Sequence, residues 1–567
     1  LFGEKEGEGV LLMARKKKMS TSKKVAIAAL ALVIVVGGIF GSSALLKNSS
    51  SNTNVLNEYL GEDMTTQDLS QMTDSYAFLV AANSQEGLLS RKSNGSPKAG
   101  LAKSWSHSKD GLTWTFHLRK GLKWSNGDKL TASDFVYAWQ RTVNPKTASQ
   151  YAYIYSGIKN ADAINSGKDK DLSSLGIKAK GENTLVVTLS HPMPQFENLM
   201  AFPVFFAQDE KFEKGLGKKV GTSSSKQVYD GPYKFVGWNG SNKKFKLVPN
   251  KNYWNAKAVK NKGVDFQVIT DPTAALATYK KDQLDSVSLT TPEQIKKYKS
   301  SKDLKIYNSS ETLYMEYNQT GKVKGLTNAK IREALNLATD RKGIAKSVSE
   351  GLDSAATGIT PAGLALTSTG GDFAKAAAKA TAYAYNIKKA KKLFAEGMKE
   401  AGLKKMTLTV EGTSDSTTSK STLDTIQQTW EQLPGLTVKE KFVPFKQRLQ
   451  DAANGNFQVI LTDWIADYAE ATTFLGLFTS DSPNNDGKWV SKEYDQAINA
   501  AESKDALNSK ARIADEVRAE KILYQNSAVN PVYWVNSPVL TNPKVKGILN
   551  FSSGAGSYYM HAYISKK

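Results

Sequence analysis

Three acids, Asp463, Asp467 and Glu470, fall within eight residues of one another in a stretch rich in aromatics. Asp467 is flanked by Trp464 and Tyr468, with Ile465 and Ala466 leading up to it. A carboxylate held between rings can grip the cationic end of a ligand, for example a peptide α-ammonium. Two neighbouring carboxylates can also divide the acid and base roles of a hydrolysis. Acids near a strand end are common without catalysis, so the hydrolase reading is the weaker one. The plainest alternative is that Asp467 caps the next helix or faces water, as most charged side chains do.

Other chemistries find little support. Cysteine is absent, which excludes disulfides, thiolate metal sites and a cysteine nucleophile. The four histidines, His107, His117, His191 and His561, are dispersed, so neither zinc nor haem is expected. There is no Walker A loop, no dinucleotide fingerprint and no Gly-x-Ser-x-Gly elbow. No cofactor is expected.

The element that must position Asp467 is the β-rich run Phe457–Leu461, which follows the turn Asn454-Gly455-Asn456. It reads as a buried strand that delivers Trp464, Ile465, Ala466 and Asp467 at its end. A strand end beside an irregular segment is a rigid support for a binding group. Around it, helices and strands alternate. Asn386 caps a helix with Ile387, Ala390, Phe394 and Met398 on one face, and Gly402 ends it. Leu408–Glu411 reads as a strand, Thr422–Gln432 as a helix, and Val438–Val443 as a strand. Val532–Val535 is the last clear strand. This alternation predicts a parallel-rich α/β sheet. Earlier in the chain, Leu112, Trp114, Phe116 and Leu118 alternate with polar residues as in a half-buried strand. Thr131–Asp134 forms a capping box ahead of Phe135, Val136 and Trp139. A hairpin is expected around Trp238-Asn239-Gly240, and further strands at Val264–Ile269 and Tyr314–Asn318.

At 567 residues the chain exceeds one ordinary core, and two or three domains are expected. The net charge of +22 first suggests nucleic acid. The lysines, however, are spread along the whole chain. Attraction to an anionic envelope surface fits better, with anionic cell-wall polymers as a partner and no nucleic acid. The 10 Trp, 23 Tyr and 21 Phe exceed what a core alone demands and suit a wide groove.

Residues 1–12 read as a translated ribosome-binding region, with the true start expected at Met13 or Met19. Residues 13–51 comprise a signal or anchor segment and a linker. Basic residues at Arg15–Lys18 and Lys23-Lys24 precede the apolar run Val25–Phe40. Ile39-Phe40-Gly41-Ser42 is close to a lipoprotein box, but Ser42 stands where the lipidated cysteine belongs. The chain is expected to be exported to the outer face of the cytoplasmic membrane. There it would be anchored by an uncleaved N-terminal segment or released after cleavage.

Several segments, in order, resemble the oligopeptide-binding proteins of bacterial ABC importers, extracellular solute-binding protein family 5. They are Asp110–Asp128 (Asp-Gly-Leu-Thr-Trp-Thr-Phe-His-Leu-Arg-Lys-Gly-Leu-Lys-Trp-Ser-Asn-Gly-Asp), Phe135–Arg141, Gly231-Pro-Tyr-Lys234, Asn252-Tyr-Trp254, Ile331–Arg341 and Trp464-Ile-Ala-Asp-Tyr468. The resemblance runs from about Tyr59 to the C-terminus. It implies an α/β, periplasmic-binding-protein-like type II fold of three lobes, with a ligand cleft between lobes I and III. Lobe I would be discontinuous, over 52–90, 199–317 and 535–567. Lobe II would span 91–198 and lobe III 318–534.

The same resemblance implies that Asp467 pairs with the α-ammonium of an oligopeptide. The backbone of Asp463, Trp464 and Ile465 would add to the peptide as a strand partner, with Asp63, Met64 and Thr65 facing it from lobe I. Partners would be oligopeptides and the ABC permease subunits, and a monomer without catalytic activity is expected. Leu461 replaces an Arg that some relatives use to hold the C-terminus of short peptides, and the Ala-rich Phe373–Tyr385 has no clear counterpart. A peptide-pheromone receptor of the same fold and a cationic surface-adhesion protein are the alternative readings.

Overall fold

The computed structural model describes residues 54–93, 95–381 and 384–566. The readings of the start, the leader and the apolar run fall outside them. Among the described residues, no helix is long and apolar enough to cross a membrane.

Three larger sheets organise the described residues. In the first, Val55–Leu60 runs parallel to Gly263–Val268, which pairs antiparallel with Lys244–Pro249, and Tyr233–Val236 completes it. The last two strands form the hairpin expected around Trp238-Asn239-Gly240. The second sheet is antiparallel throughout, in the order Ala102–His107, Thr113–Leu118, Thr184–Thr188, Ile177–Ala179. Its predicted alternation is realised: Trp114, Phe116 and Leu118 are buried while Thr113 and His117 face water. The helix Ala132–Val143 packs beside it and starts at the predicted capping box. There the Thr131 N–H donates to Asp134 Oδ2 at 2.7 Å.

The third sheet has the order Ser286–Ser288, Val529–Thr541, Leu304–Tyr317, Val459–Ile465, Met406–Thr413, Leu436–Val443. It is mixed rather than parallel-rich. Met406–Thr413 lies parallel to both of its neighbours, through the crossover helices Thr417–Trp430 and Phe445–Ala453. The other pairings are antiparallel. Their strands come from distant parts of the chain, so no local βαβ pattern could announce them.

Leu304–Tyr317 and Val529–Thr541 are far longer than the apolar cores Tyr314–Asn318 and Val532–Val535 suggested. Their outer halves carry Lys305, Asn308, Ser309, Asn536 and Ser537, which lack a strand's usual composition and gain it only by pairing with each other. The segment 199–317 was assigned to lobe I, yet its last strand pairs inside the third sheet. Together the two strands join the region of Ser286–Ser288 to that sheet. A bulge between Asn308 and Glu311 marks the middle of the ladder, with Ser310 at φ +44°.

Both faces of the third sheet are covered. Ile331, Ala334, Leu335 and Ala338 of Ala329–Ala338 pack with Phe394 of Ile387–Glu400 and with Trp430 on one face. Asn386 caps the second of these helices as expected, accepting from the Lys389 N–H at 3.0 Å. The helix predicted from Thr422 begins earlier, at Thr417, because Ser416 caps it by accepting from Ser419 N–H. Beyond Thr541 the chain returns to the first sheet. Tyr559 packs on Phe266 with ring centroids 6.0 Å apart, and Ile564 N–H donates to Asn54 Oδ1 at 2.9 Å.

Candidate functional site

The strand Val459–Ile465 runs four residues beyond its predicted end at Leu461. Trp464 and Ile465 therefore belong to the strand, and Ala466 and Asp467 leave it. One edge pairs with Glu311–Tyr317 over its whole length. The other meets Met406–Thr413 only at Val459 and Ile460, where the two strands diverge. Antiparallel ladders alternate, and Ala466 N–H donates to Ser310 O at 3.0 Å in register with this ladder. Thr462 and Trp464 thus turn their N–H and C=O groups to the partner strand. Asp463 and Ile465 turn theirs to the open edge.

Asp467 is almost wholly buried, 5% exposed. Tyr151 Oη donates to its Oδ1 at 3.3 Å, Thr473 Oγ1 accepts from its N–H at 3.0 Å, and Arg91 Nη2 donates to its C=O at 3.4 Å. Its Oδ2 is buried with no hydrogen-bond partner among the described residues. Burial pushes the carboxyl up to about 8, against the opposing pull of the Tyr151 hydroxyl, the Arg91 charge and the nearby Tyr153 hydroxyl. The Trp464 ring stacks over Tyr151 at 6.3 Å between centroids, and its buried Nε1 also lacks a partner among the described residues. The C-terminal segment closes this corner. Gly554 N–H donates to Ala466 O at 2.6 Å, and Arg91 Nη1 donates to Ser553 O at 2.6 Å. Gly554 has φ +76°, and a Cβ there would stand 2.5 Å from the Arg91 guanidinium, so the close approach requires glycine.

Asp467 therefore neither caps the next helix nor faces water. The other two acids are engaged elsewhere. Arg448 donates to Asp463 Oδ1 at 3.4 Å and to Thr462 Oγ1 at 2.6 Å, and Arg512 donates to Glu470 at 2.8 Å. Asp463, Asp467 and Glu470 are thus held by different partners, and these three acids form no carboxylate pair of the kind the hydrolase reading requires. Tyr468 is buried, its hydroxyl 3.3 Å from Thr472 Oγ1.

Of the early segment, Asp63 pairs with Lys243, Met64 is buried in the core, and Thr65 donates to Asp74 at 2.6 Å. None of the three lines the neighbouring cavity. Their neighbours do: Leu60, Gly61, Ser75 and Tyr76 reach it. That cavity, of about 650 Å³, lies between the first sheet and the long ladder and ends against Ile465 and Gly554. Glu62 stands close enough to Asp463 and Arg448 to feel both charges, and burial, then Asp463, pushes it up to about 7. A second cavity, of about 730 Å³, reaches Tyr153 and Tyr468 from the other side and is lined by Asp162, Asp481 and Glu502.

Sequence reasoning missed Tyr151, Tyr153, Arg91, Arg448 and Gly554. The repeated tyrosines in Tyr151-Ala-Tyr-Ile-Tyr155 were the one available signal.

The raised carboxyl has a measurable consequence. A buried acid whose folded pKa of about 8 exceeds its ordinary 3.8 binds its proton more tightly in the folded state. Its contribution to stability is complete below about 4 and is lost as pH rises through about 8. The melting temperature of the unliganded protein should therefore fall across this window relative to that of Asp467→Asn. A cationic ligand needs the carboxylate, so binding below pH 8 displaces a proton. Affinity should rise by up to about tenfold per pH unit toward 8, and fall above it as an α-ammonium deprotonates. Calorimetry across this range checks both signs.

The profile of the bacterial extracellular solute-binding proteins, family 5 (middle region), matches residues 96–486. The chain belongs to this family. Its solute-binding receptors share the type II periplasmic-binding-protein fold that the sequence implied. The chain is 44% identical to a dipeptide-binding protein of Lactococcus lactis over 514 residues, covering 88% of this chain and 93% of that one. It is similar to Listeria monocytogenes OppA bound to peptide, with TM-score 0.85 and 32% identity, over 91% of this chain and all of that one. The Escherichia coli murein tripeptide-binding protein MppA matches with TM-score 0.82 at 26% identity, over 91% of this chain and 99% of that one. The unliganded open form of MppA, over 91% and 98%, reaches only 0.62 at the same identity. The arrangement seen here is therefore unlike the open one, in keeping with the burial of Asp467.

Proposed function

We propose that this chain is the extracellular receptor of an ABC importer that captures oligopeptides between its lobes and passes them to the membrane permease. The observation that carries this reading is the Asp467 Oδ2, buried and without a partner among the described residues at the foot of an open strand edge. A peptide α-ammonium supplies the missing donors. The peptide backbone then adds to Asp463 and Ile465, whose N–H and C=O groups face that edge. Main-chain hydrogen bonds are blind to side chains, so one edge serves many sequences. A closed, dry corner strengthens the ion pair and fixes the register.

The three sheets support a division into three lobes, with the ladder of Leu304–Tyr317 and Val529–Thr541 as the hinge on which closure signals loading. Transport needs no catalytic group here, because the importer's ATPase supplies the energy. The basic, apolar N-terminal stretch supports export, followed by anchoring or cleavage. The net charge of +22 favours contact with anionic envelope polymers.

Native mass spectrometry of the full chain, with bound material released by acid and sequenced, tests the reading. Mixed peptides of several lengths, retained by the parent protein and lost in Asp467→Asn, are expected. A protein that arrives empty and ignores added peptide libraries would overturn it.

A further inference from the structure

Glu58 breaks the pattern of its own strand. In Val55–Leu60, the inward face carries Leu56, Glu58 and Leu60, all buried, and Glu58 is 4% exposed. An acid on an apolar face is a local inconsistency of the kind found at functional positions. Ser286 Oγ donates to its Oε2 at 2.5 Å, while its Oε1 is buried with no partner among the described residues. Burial, with Asp285 adding to it, pushes this carboxyl up to about 8, so the group lacks the donors an ionised carboxylate needs.

Glu58 lines the same 650 Å³ cavity that ends against Ile465. Glu311 lines it too, placed there by the bulge between Asn308 and Glu311 and directly opposite Ile465 in the ladder. Burial, then the like charges of Asp463 and Asp353, raises the pKa of Glu311. Tyr59, Tyr76 and Tyr559 supply ring surface around the two acids. The two lysines of the lining, Lys305 and Lys546, are exposed, and long ammonium side chains at a surface keep their heads in water.

We infer that this cavity is a side-chain subsite of the peptide cleft that selects a cationic residue, lysine or arginine, through Glu58 at its floor and Glu311 on its wall. The assignment rests on the peptide-capture reading. A peptide added along Asp463–Ile465 sends alternate side chains to opposite faces, and those on the face shared by Ile465 and Glu311 enter this space. The aliphatic stem of a lysine or arginine would lie along the tyrosines, and its charged head would meet Glu58 Oε1.

The test is calorimetric titration of the full chain with three tripeptide series, each placing lysine, norleucine or glutamine at one position in an alanine background. At one position lysine should bind about tenfold or more tighter than norleucine, the worth of a hydrogen bond to a charged group. Glu58→Gln should abolish that preference and leave norleucine affinity within about threefold. Glu311→Gln should reduce the preference in part, and it serves as the second variant where Glu58→Gln fails to fold. Equal affinity for lysine and norleucine at every position, or a preference that survives both substitutions, overturns the subsite while peptide capture stands. If no peptide in any series binds, the peptide-capture reading falls, and the subsite with it.

Discussion

Asp467→Asn is expected to lower the affinity for free oligopeptides by roughly 10²–10⁴-fold, about 3–5 kcal/mol, the cost of removing one partner from a buried ion pair. The reason is local. Tyr151 donates to one carboxylate oxygen, and the other has no hydrogen-bond partner among the described residues, with the Tyr153 hydroxyl nearby. An asparagine keeps the volume but presents an amide that cannot attract an ammonium. The fold should survive, since the neutral amide relieves a burial that already pushes the acid up to about 8. Blocking the peptide amino group by acetylation removes the same interaction from the ligand side. The two losses should overlap rather than add, as expected of one shared contact. Calorimetry with a parent peptide and its acetylated form checks all four combinations. Retention of affinity within about threefold in Asp467→Asn would refute the anchor.

Ile465→Pro is expected to weaken every peptide by a similar factor, about 5–150-fold, whatever its sequence. The ladder phase sets this outcome. The Ile465 N–H points to the open edge, so proline removes a donor offered to the ligand and none used by Glu311. Edge positions with the N–H directed outward tolerate proline. Trp464→Pro is the contrast, because its N–H belongs to the ladder with Thr312 and its loss should lower the melting temperature. Ile465→Val controls for the side chain, which lines the cavity. If Ile465→Pro discriminates strongly between peptides instead of weakening all alike, binding does not proceed by strand addition.

Much of this molecule was legible in its sequence, and the legible parts share one property: their signals are local. The alternation at Thr113–Leu118, the capping box at Thr131 and the cap at Asn386 each involve residues a few positions apart. Asp467 was legible for the same reason, as an acid between two aromatics behind a short apolar strand. What was misjudged depended on distant neighbours. The strand Val459–Ile465 continues past its apolar core because Glu311–Tyr317 pairs with all of it. Around the early segment Asp63 to Thr65, it is Leu60, Gly61, Ser75 and Tyr76 that line the cavity, an arrangement set by folding and not by local pattern.

By itself, the sequence determined the family, its solute-binding fold and the absence of cysteine, and it singled out Asp467 as the proposed anchor. Only the tertiary structure decided what the anchor lacks and what surrounds it. Tyr151 is 316 residues from Asp467 and Arg91 is 376, and neither separation leaves a trace in local pattern. An unpaired carboxylate oxygen is a property of three-dimensional packing. The chain sets which residue is acidic, but burial by distant segments leaves one of its oxygens without a partner among the described residues, and the proposed anchor rests on that.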